Sequence, residues 1–212
     1  MEYITAFGIA FGFSFVGMLP PGMLNMKTVG LSLSKGFYAA LFFAVGAASV
    51  EFFQSLLVIK FADNVAQYLD GNVYVLWAAV AILTALGISF LLSKPKKDAA
   101  NLEGNALKNK STFFSGIGMA FMNVLVHPFW LAQGIYWTQQ GVLWNGWPIL
   151  ITFSAGIFLG SVACYVLYIL LAEKILKKFD VVANNINKIL AAIFFVLAAI
   201  QLFQIFKIEN FV

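Results

Sequence analysis

Six long apolar runs leave this chain of 212 residues almost no choice of solvent. They are Tyr3–Leu33, Phe37–Phe61, Val73–Ser93, Phe113–Thr138, Trp147–Ala172 and Lys188–Phe206, and the polar clusters fall between them. A bilayer core about 30 Å thick takes roughly 20 apolar residues per helix, so each run is long enough to cross it. The chain is 62% hydrophobic and only 10% charged, where a soluble domain carries about 25% charged residues. That shortage of polar surface excludes a cytosolic enzyme, a nucleic-acid-binding domain and a disordered chain. The expected fold is all-α and integral to a membrane, with six transmembrane helices. The first run does not read as a cleaved signal peptide, because it opens on Glu2 without a Lys and is too long.

The net charge of +4 comes from 13 basic residues, every one a Lys. Without Arg there are no guanidinium forks to read bases or clamp phosphates, so no nucleic-acid partner is expected. The lysines sort by loop instead. Lys35, Lys94, Lys96, Lys97, Lys108, Lys110, Lys174, Lys177, Lys178 and Lys188 fall on one side of a six-span arrangement, and only Lys60 and Lys207 on the other. By the positive-inside rule the Lys-rich loops are cytoplasmic and both termini are outside. Cys164 stands alone and can form neither an intrachain disulfide nor a redox pair.

Two runs carry backbone breakers. As one straight helix Tyr3–Leu33 would be about 45 Å long, well over the hydrocarbon thickness. It is interrupted by Met18-Leu19-Pro20-Pro21-Gly22-Met23, where two prolines remove two backbone donors. Run four is interrupted at Val126-His127-Pro128-Phe129. Pro21 and Pro128 are 107 residues apart, and Gly46 and Gly156, in the next helix of each half, are 110 apart. Three spans per half is an odd number, so the second half enters from the opposite side. The reading is a 3+3 inverted repeat with broken first and fourth helices: 1–93, a cytoplasmic linker at 94–112, and 113–212. In secondary transporters such paired breaks flank a substrate site near the midplane.

Few polar residues remain inside the runs. Glu51 is the only carboxylate in the middle of any of them. Holding a charge there costs at least about 2.5–3.5 kcal/mol, which suggests proton, cation or amine handling; a protonated Glu bonding across the bundle is the structural alternative. Gln54 follows on the same helix face, as a partner of Glu51 or as interhelical glue. Asn25, just after the Pro21-Gly22 break, is suited to capping or ligand contact. Lys27 can pair with Glu51, bind a substrate carboxylate, or snorkel to the headgroups. His127, the only histidine, directly precedes Pro128; it is a proton or substrate contact, or a hydrogen-bonded core residue. Met18, Met23, Met26, Met119 and Met122 surround the breaks, as packing or loose substrate lining, with a soft-metal path the sharper alternative. Small residues spaced by four, Gly8/Gly12, Ala44/Ala48 and Gly156/Gly160, predict close helix approach.

Pro21-Gly22, Lys35-Gly36, the stretch Gly46-Ala-Ala-Ser-Val50-Glu51-Phe-Phe-Gln54, and Ser115-Gly116 followed by His127-Pro128-Phe129 together resemble the lysine-exporter (LysE/RhtB-like) family of amino-acid exporters. Most of the chain follows the family in order and spacing. Met23 stands where the family has a second Pro, Glu51 where Asp is usual, and Gln54 where His is common. His127 and Phe129 flank the second Pro where Asn and Lys are common. The resemblance implies a secondary exporter of amino acids or related small amine-bearing metabolites, driven by the proton gradient in a bacterial-type plasma (inner) membrane. Its partners would be that small molecule, protons and the lipid bilayer, and a homo-oligomer is left open. Pro21, Gly22 and Asn25 would shape one side of the site, His127 and Pro128 the other, with Glu51 as the coupling acid.

Two other classes compete. A metal-ion exporter of the same superfamily needs several hard ligands or a His/Cys/Met cluster, and one Glu with one His is too few. A non-transporting scaffold has no need of two helix breaks. No nucleophile with a base, phosphate loop or cofactor motif is present, so neither an enzyme, a cofactor nor a resident metal is expected.

Overall fold

The computed structural model describes residues 1–62, 64, 73–92, 109–123, 126–144 and 146–177, with single positions between 188 and 206. The linker lysines up to Lys108, together with Lys178 and Lys207, lie outside the described residues. Eight helices are bounded: α1 Glu2–Gly17, α2 Met23–Lys35, α3 Phe37–Lys60, α4 Val73–Leu92, α5 Asn109–Phe121, α6 Val126–Gln139, α7 Trp147–Leu170 and α8 Ala172–Lys177. The positions described within 188–206 are helical as well, and the described residues contain no strand.

The expected interruption of the first run is where Pro20 and Pro21 stand. α1 ends at Gly17, and α2 begins after Gly22, whose backbone is extended. α2 and α3 are joined by Gly36 alone, at φ +85°. A side chain is strained in that region, so glycine allows two helices to meet with a single residue between them. The second break lies upstream of the expected one. α5 stops at Phe121 and α6 starts at Val126, bent by 69°, so Pro128 is the third residue of α6. The first-turn N–H groups of a helix have no intrahelical partner, and a proline there removes nothing the helix needs.

Among the described residues, α3 and α7 are each 24 residues long and apolar enough to cross a membrane; the bent pair α5–α6 adds a third span if counted as one. α1, at 16 residues, is a shorter apolar helix. Phe42, Phe53 and Leu57 on α3 and Ile151, Leu159 and Leu170 on α7 are exposed, as the outer face of a helix in lipid is.

The chain divides into two compact units. The first, Met1–Asn64 with Asp98–Lys178, contains every bounded helix except α4. Within it α1 lies along α7, α3 lies between α5 and α7, and α2 rests on α3 and α7. Glycine permits the two closest approaches. A Cβ on Gly46 would fall on the carbonyl of Phe113, and one on Gly116 on the carbonyl of Phe43. In the same way, a Cβ on Gly156 or Gly160 would stand 2.5 Å from the carbonyl oxygen of Phe7 or Phe11. Gly156 meets Phe7 and Gly160 meets Phe11, so α1 and α7 run in the same direction. The seam on α1 is not the expected Gly8/Gly12 pair, which meets nothing within 4 Å. It is Ala6, Ala10 and Ser14, all buried; α1 turns that face to α7 because Ser14 finds hydrogen-bond partners there. In the second unit, Val65–Lys97 with Phe179–Val212, α4 rests on the ring of Phe195, 2.9 Å from where a Cβ on Gly87 would be.

Candidate functional site

A helix broken inside a membrane must still satisfy its free carbonyls, since no water is there to do so. At the first break side chains take that role. The Asn25 side-chain amide donates to the carbonyls of Met18 (2.7 Å) and Pro20 (3.1 Å), and the Tyr168 hydroxyl on α7 donates to the one between them, Leu19 (2.7 Å). Three consecutive carbonyls are thereby held. Asn25 is buried, and its Oδ1 has no hydrogen-bond partner among the described residues. Replacing Asn25 by alanine leaves two of those carbonyls bare. The expected loss is about 1–3 kcal/mol, read as a lower midpoint in a detergent unfolding titration; an unchanged midpoint would show that the break does not depend on Asn25.

Glu51 lies on α3 beside residues from α7 and α6, and is linked to α1 through Ser161. Ser161 on α7 hydrogen-bonds to its carboxyl. The Ser161 hydroxyl is 2.8 Å from that of Ser14 on α1, which also donates to the carbonyl of Ile157 (2.9 Å). Both serines are buried. The indole N–H of Trp130, the fifth residue of α6, faces the same carboxyl, with no hydrogen bond of normal geometry among the described residues. Trp130 is 1% exposed and packs edge-on against Phe153, with ring centres 6.2 Å apart.

The breaks themselves come near each other. The ring of Phe129, next to Pro128, would be 3.6 Å from a Cβ on Gly17, the last residue of α1. Further along the same two helices Phe13 meets Trp137 edge-on. Met18, at the first break, packs against the cluster of Ala44, Ala47, Val50, Ala120 and Tyr165. Glu51 thus follows a residue of the cluster that Met18 covers, and faces a tryptophan from the helix after the other break.

The remaining candidates are more dispersed. Pro21 is half-buried and Gly22 exposed, between α1 and α2. Gln54 is half-buried one turn after Glu51, and Lys27 half-buried on α2. Among the described residues neither is bonded to the Glu51 carboxyl, whose side-chain hydrogen-bond partner is Ser161. The Lys27–Glu51 pair, one of three readings open from sequence, is therefore not formed in this structure. His127 is half-buried as the second residue of α6 and engaged with a neighbour, while Pro128 is exposed. Among the described residues no three His, Cys, Asp or Glu side chains converge as a metal site would require.

Ser14, Trp130, Ser161 and Tyr168 are absent from the candidates legible in sequence. One of them had a signal. Ser161 is 110 residues after Glu51, the same interval that separates Gly46 from Gly156, so the repeat spacing pairs the two positions. A serine, a tyrosine or a tryptophan on an apolar helix carries no other mark of what it faces.

Against known proteins, the family model described as LysE type translocator matches residues 15–204. No curated protein and no solved structure matches the chain.

Proposed function

Because the chain belongs to the LysE type translocator family, and is therefore a multi-pass membrane transporter rather than an enzyme, we propose that it exports amino acids or related small amine-bearing metabolites, coupled to protons, by alternating access. The observation that carries this reading is the surroundings of Glu51: one carboxyl between two helix breaks, hydrogen-bonded across the bundle to Ser161. A carboxyl so placed can take up and release a proton as the helices around it rearrange.

The packing supports the 3+3 inverted repeat. The second helix of each proposed half rests on the first helix of the other, α7 on α1 and α3 on α5, and each contact needs glycine on the second helix, Gly156 and Gly46. The shared direction of α1 and α7 fits a six-span order, in which first and fifth spans run alike. Asn25, Pro21, Gly22 and Lys27 would line one side of the path, Gln54, His127 and Pro128 the other. The lysine distribution orients the chain in a bacterial-type inner membrane with both termini outside.

The test is export from proteoliposomes loaded with a mixture of radiolabelled amino acids, under an imposed pH gradient. Label should leave the vesicles faster with the gradient than without it, and Glu51→Gln should abolish that difference. No movement of any amino acid would overturn the substrate class, and full gradient-driven export by Glu51→Gln would overturn the coupling role.

A further inference from the structure

The two sides of the first break are satisfied unequally. Its acceptors are held: the carbonyls of Met18 and Pro20 by the Asn25 side-chain amide, and that of Leu19 by Tyr168. Among the described residues its donors are not. The N–H groups of Met23, Leu24 and Asn25 open α2, and the first N–H groups of a helix have no intrahelical partner. Gly22 is the N-cap, and no side chain caps the helix. Lys27 adds a positive charge near the same end. It is half-buried two residues past Asn25, and no carboxylate pairs with it among the described residues. Its Cα–Cβ bond leans toward the N-terminus of α2, over the turn of Met23 and Leu24. Where no water enters, open donors and a charge of one sign call for an anion from outside the chain. The way to them is open: Gly22 is exposed, and a Cβ on it would meet nothing within 4 Å.

An independent observation adds a place for the opposite charge. Asn25 is 3% exposed, and its Oδ1 is an acceptor without a donor among the described residues. It shares a carbon with the Nδ2 that reaches the Met18 and Pro20 carbonyls, so it too lies in the break. Those carbonyls each keep a second lone pair, and they follow the C-terminal end of α1, where the helix dipole favours a cation. Residues 18–22 thus join a helix end that favours a cation to one that favours an anion. We propose that this break binds the head group of an α-amino acid, its carboxylate on Lys27 and the first-turn N–H groups of α2, its ammonium on Asn25 Oδ1. The inference rests on the reading of the chain as an exporter of amino acids or small amines, and narrows it: the substrate carries both groups on one carbon. The carboxylate docks at the open end. Oδ1 is covered, and takes the ammonium as the break moves during the cycle.

The full chain in mild detergent would be melted with each common amino acid in turn, beside its decarboxylated amine and its 2-oxo acid. A ligand of the folded state raises the melting temperature, and the concentration dependence of the shift gives the apparent affinity. At least one amino acid should bind, with its amine and its oxo acid at least about tenfold weaker, the worth of one charged hydrogen bond. Gly22→Asp gives α2 a cap of its own, on an extended N-cap backbone suited to one. Without ligand it should melt no lower than wild type, yet bind the amino acid about tenfold more weakly, because its carboxylate occupies the same N–H groups. Lys27→Met leaves the N-terminus uncapped and should weaken binding similarly, which covers a Gly22→Asp chain that fails to fold. Lys27→Arg should restore it. An amine or an oxo acid as effective as the amino acid, or wild-type affinity in Gly22→Asp or in Lys27→Met, would overturn the proposal. Its failure is separable from failure of the transport reading. If labelled amino acids leave proteoliposomes under the gradient while Gly22→Asp and Lys27→Met bind like wild type, only the head-group site falls. If no amino acid is bound or exported, both fall.

Discussion

Gly46→Ala and Gly116→Ala should each cost about 3 kcal/mol of stability, although each adds a single methyl group. In both cases the new Cβ falls on backbone, the carbonyl of Phe113 or of Phe43. A side chain in the way could rotate; a carbonyl inside a helix cannot move without its helix. α3 and α5 would have to separate, opening the packing around Phe43, Ala44 and Ala47, which are almost fully buried. Without a hydrophobic drive between helices in lipid, close packing is what holds such a contact. The two glycines serve one crossing, so the double variant should cost less than the sum. Gly8→Ala, Gly12→Ala and Gly118→Ala are the controls, since nothing lies within 4 Å of their added Cβ. They should be neutral or gain up to about 1 kcal/mol from helix propensity. Unfolding titrations in mixed detergent would separate the two groups. A Gly46→Ala midpoint equal to that of the controls would contradict the close crossing.

Trp130→Ala should remove about 3–5 kcal/mol, because the side chain is 1% exposed within a core that includes Ala10, Ile59, Phe153 and Ile157. Trp130→Phe separates packing from chemistry. It keeps an aromatic ring against Phe153 but lacks the N–H that faces Glu51. Its unfolding midpoint should stay much nearer to wild type than that of the alanine variant, while gradient-driven export falls by about tenfold, the worth of one hydrogen bond to a charged group. Wild-type export by the phenylalanine variant would reduce Trp130 to a packing residue.

The helices were largely legible because a bilayer imposes a length and an apolar composition on whatever crosses it. Run two became α3 within one residue at its end, and the prolines placed the first break. The second break was placed too late, at Pro128, because a proline inside the first turn of a helix looks in sequence like one that ends it. The seam on α1 was misassigned for a related reason. Gly8/Gly12 and Ala6/Ala10/Ser14 have the same spacing of four, and spacing does not say which face meets another helix. Only the partner does, here through the Ser14 bonds to Ser161 and Ile157.

The same division holds for the site. Glu51 stood out alone because a carboxyl in hydrocarbon is expensive, and that cost is a property of the residue in its medium, present before any fold. Its neighbours carry no such cost. Serine, tyrosine and tryptophan are tolerated on apolar helices everywhere, and Ser14 and Ser161 are 147 residues apart. The chain's own composition therefore determined the solvent, the helical class, the first break and the one acid worth watching. Which hydroxyls meet that acid was decided only when glycine let α1 and α7 approach closely enough for hydroxyls to touch.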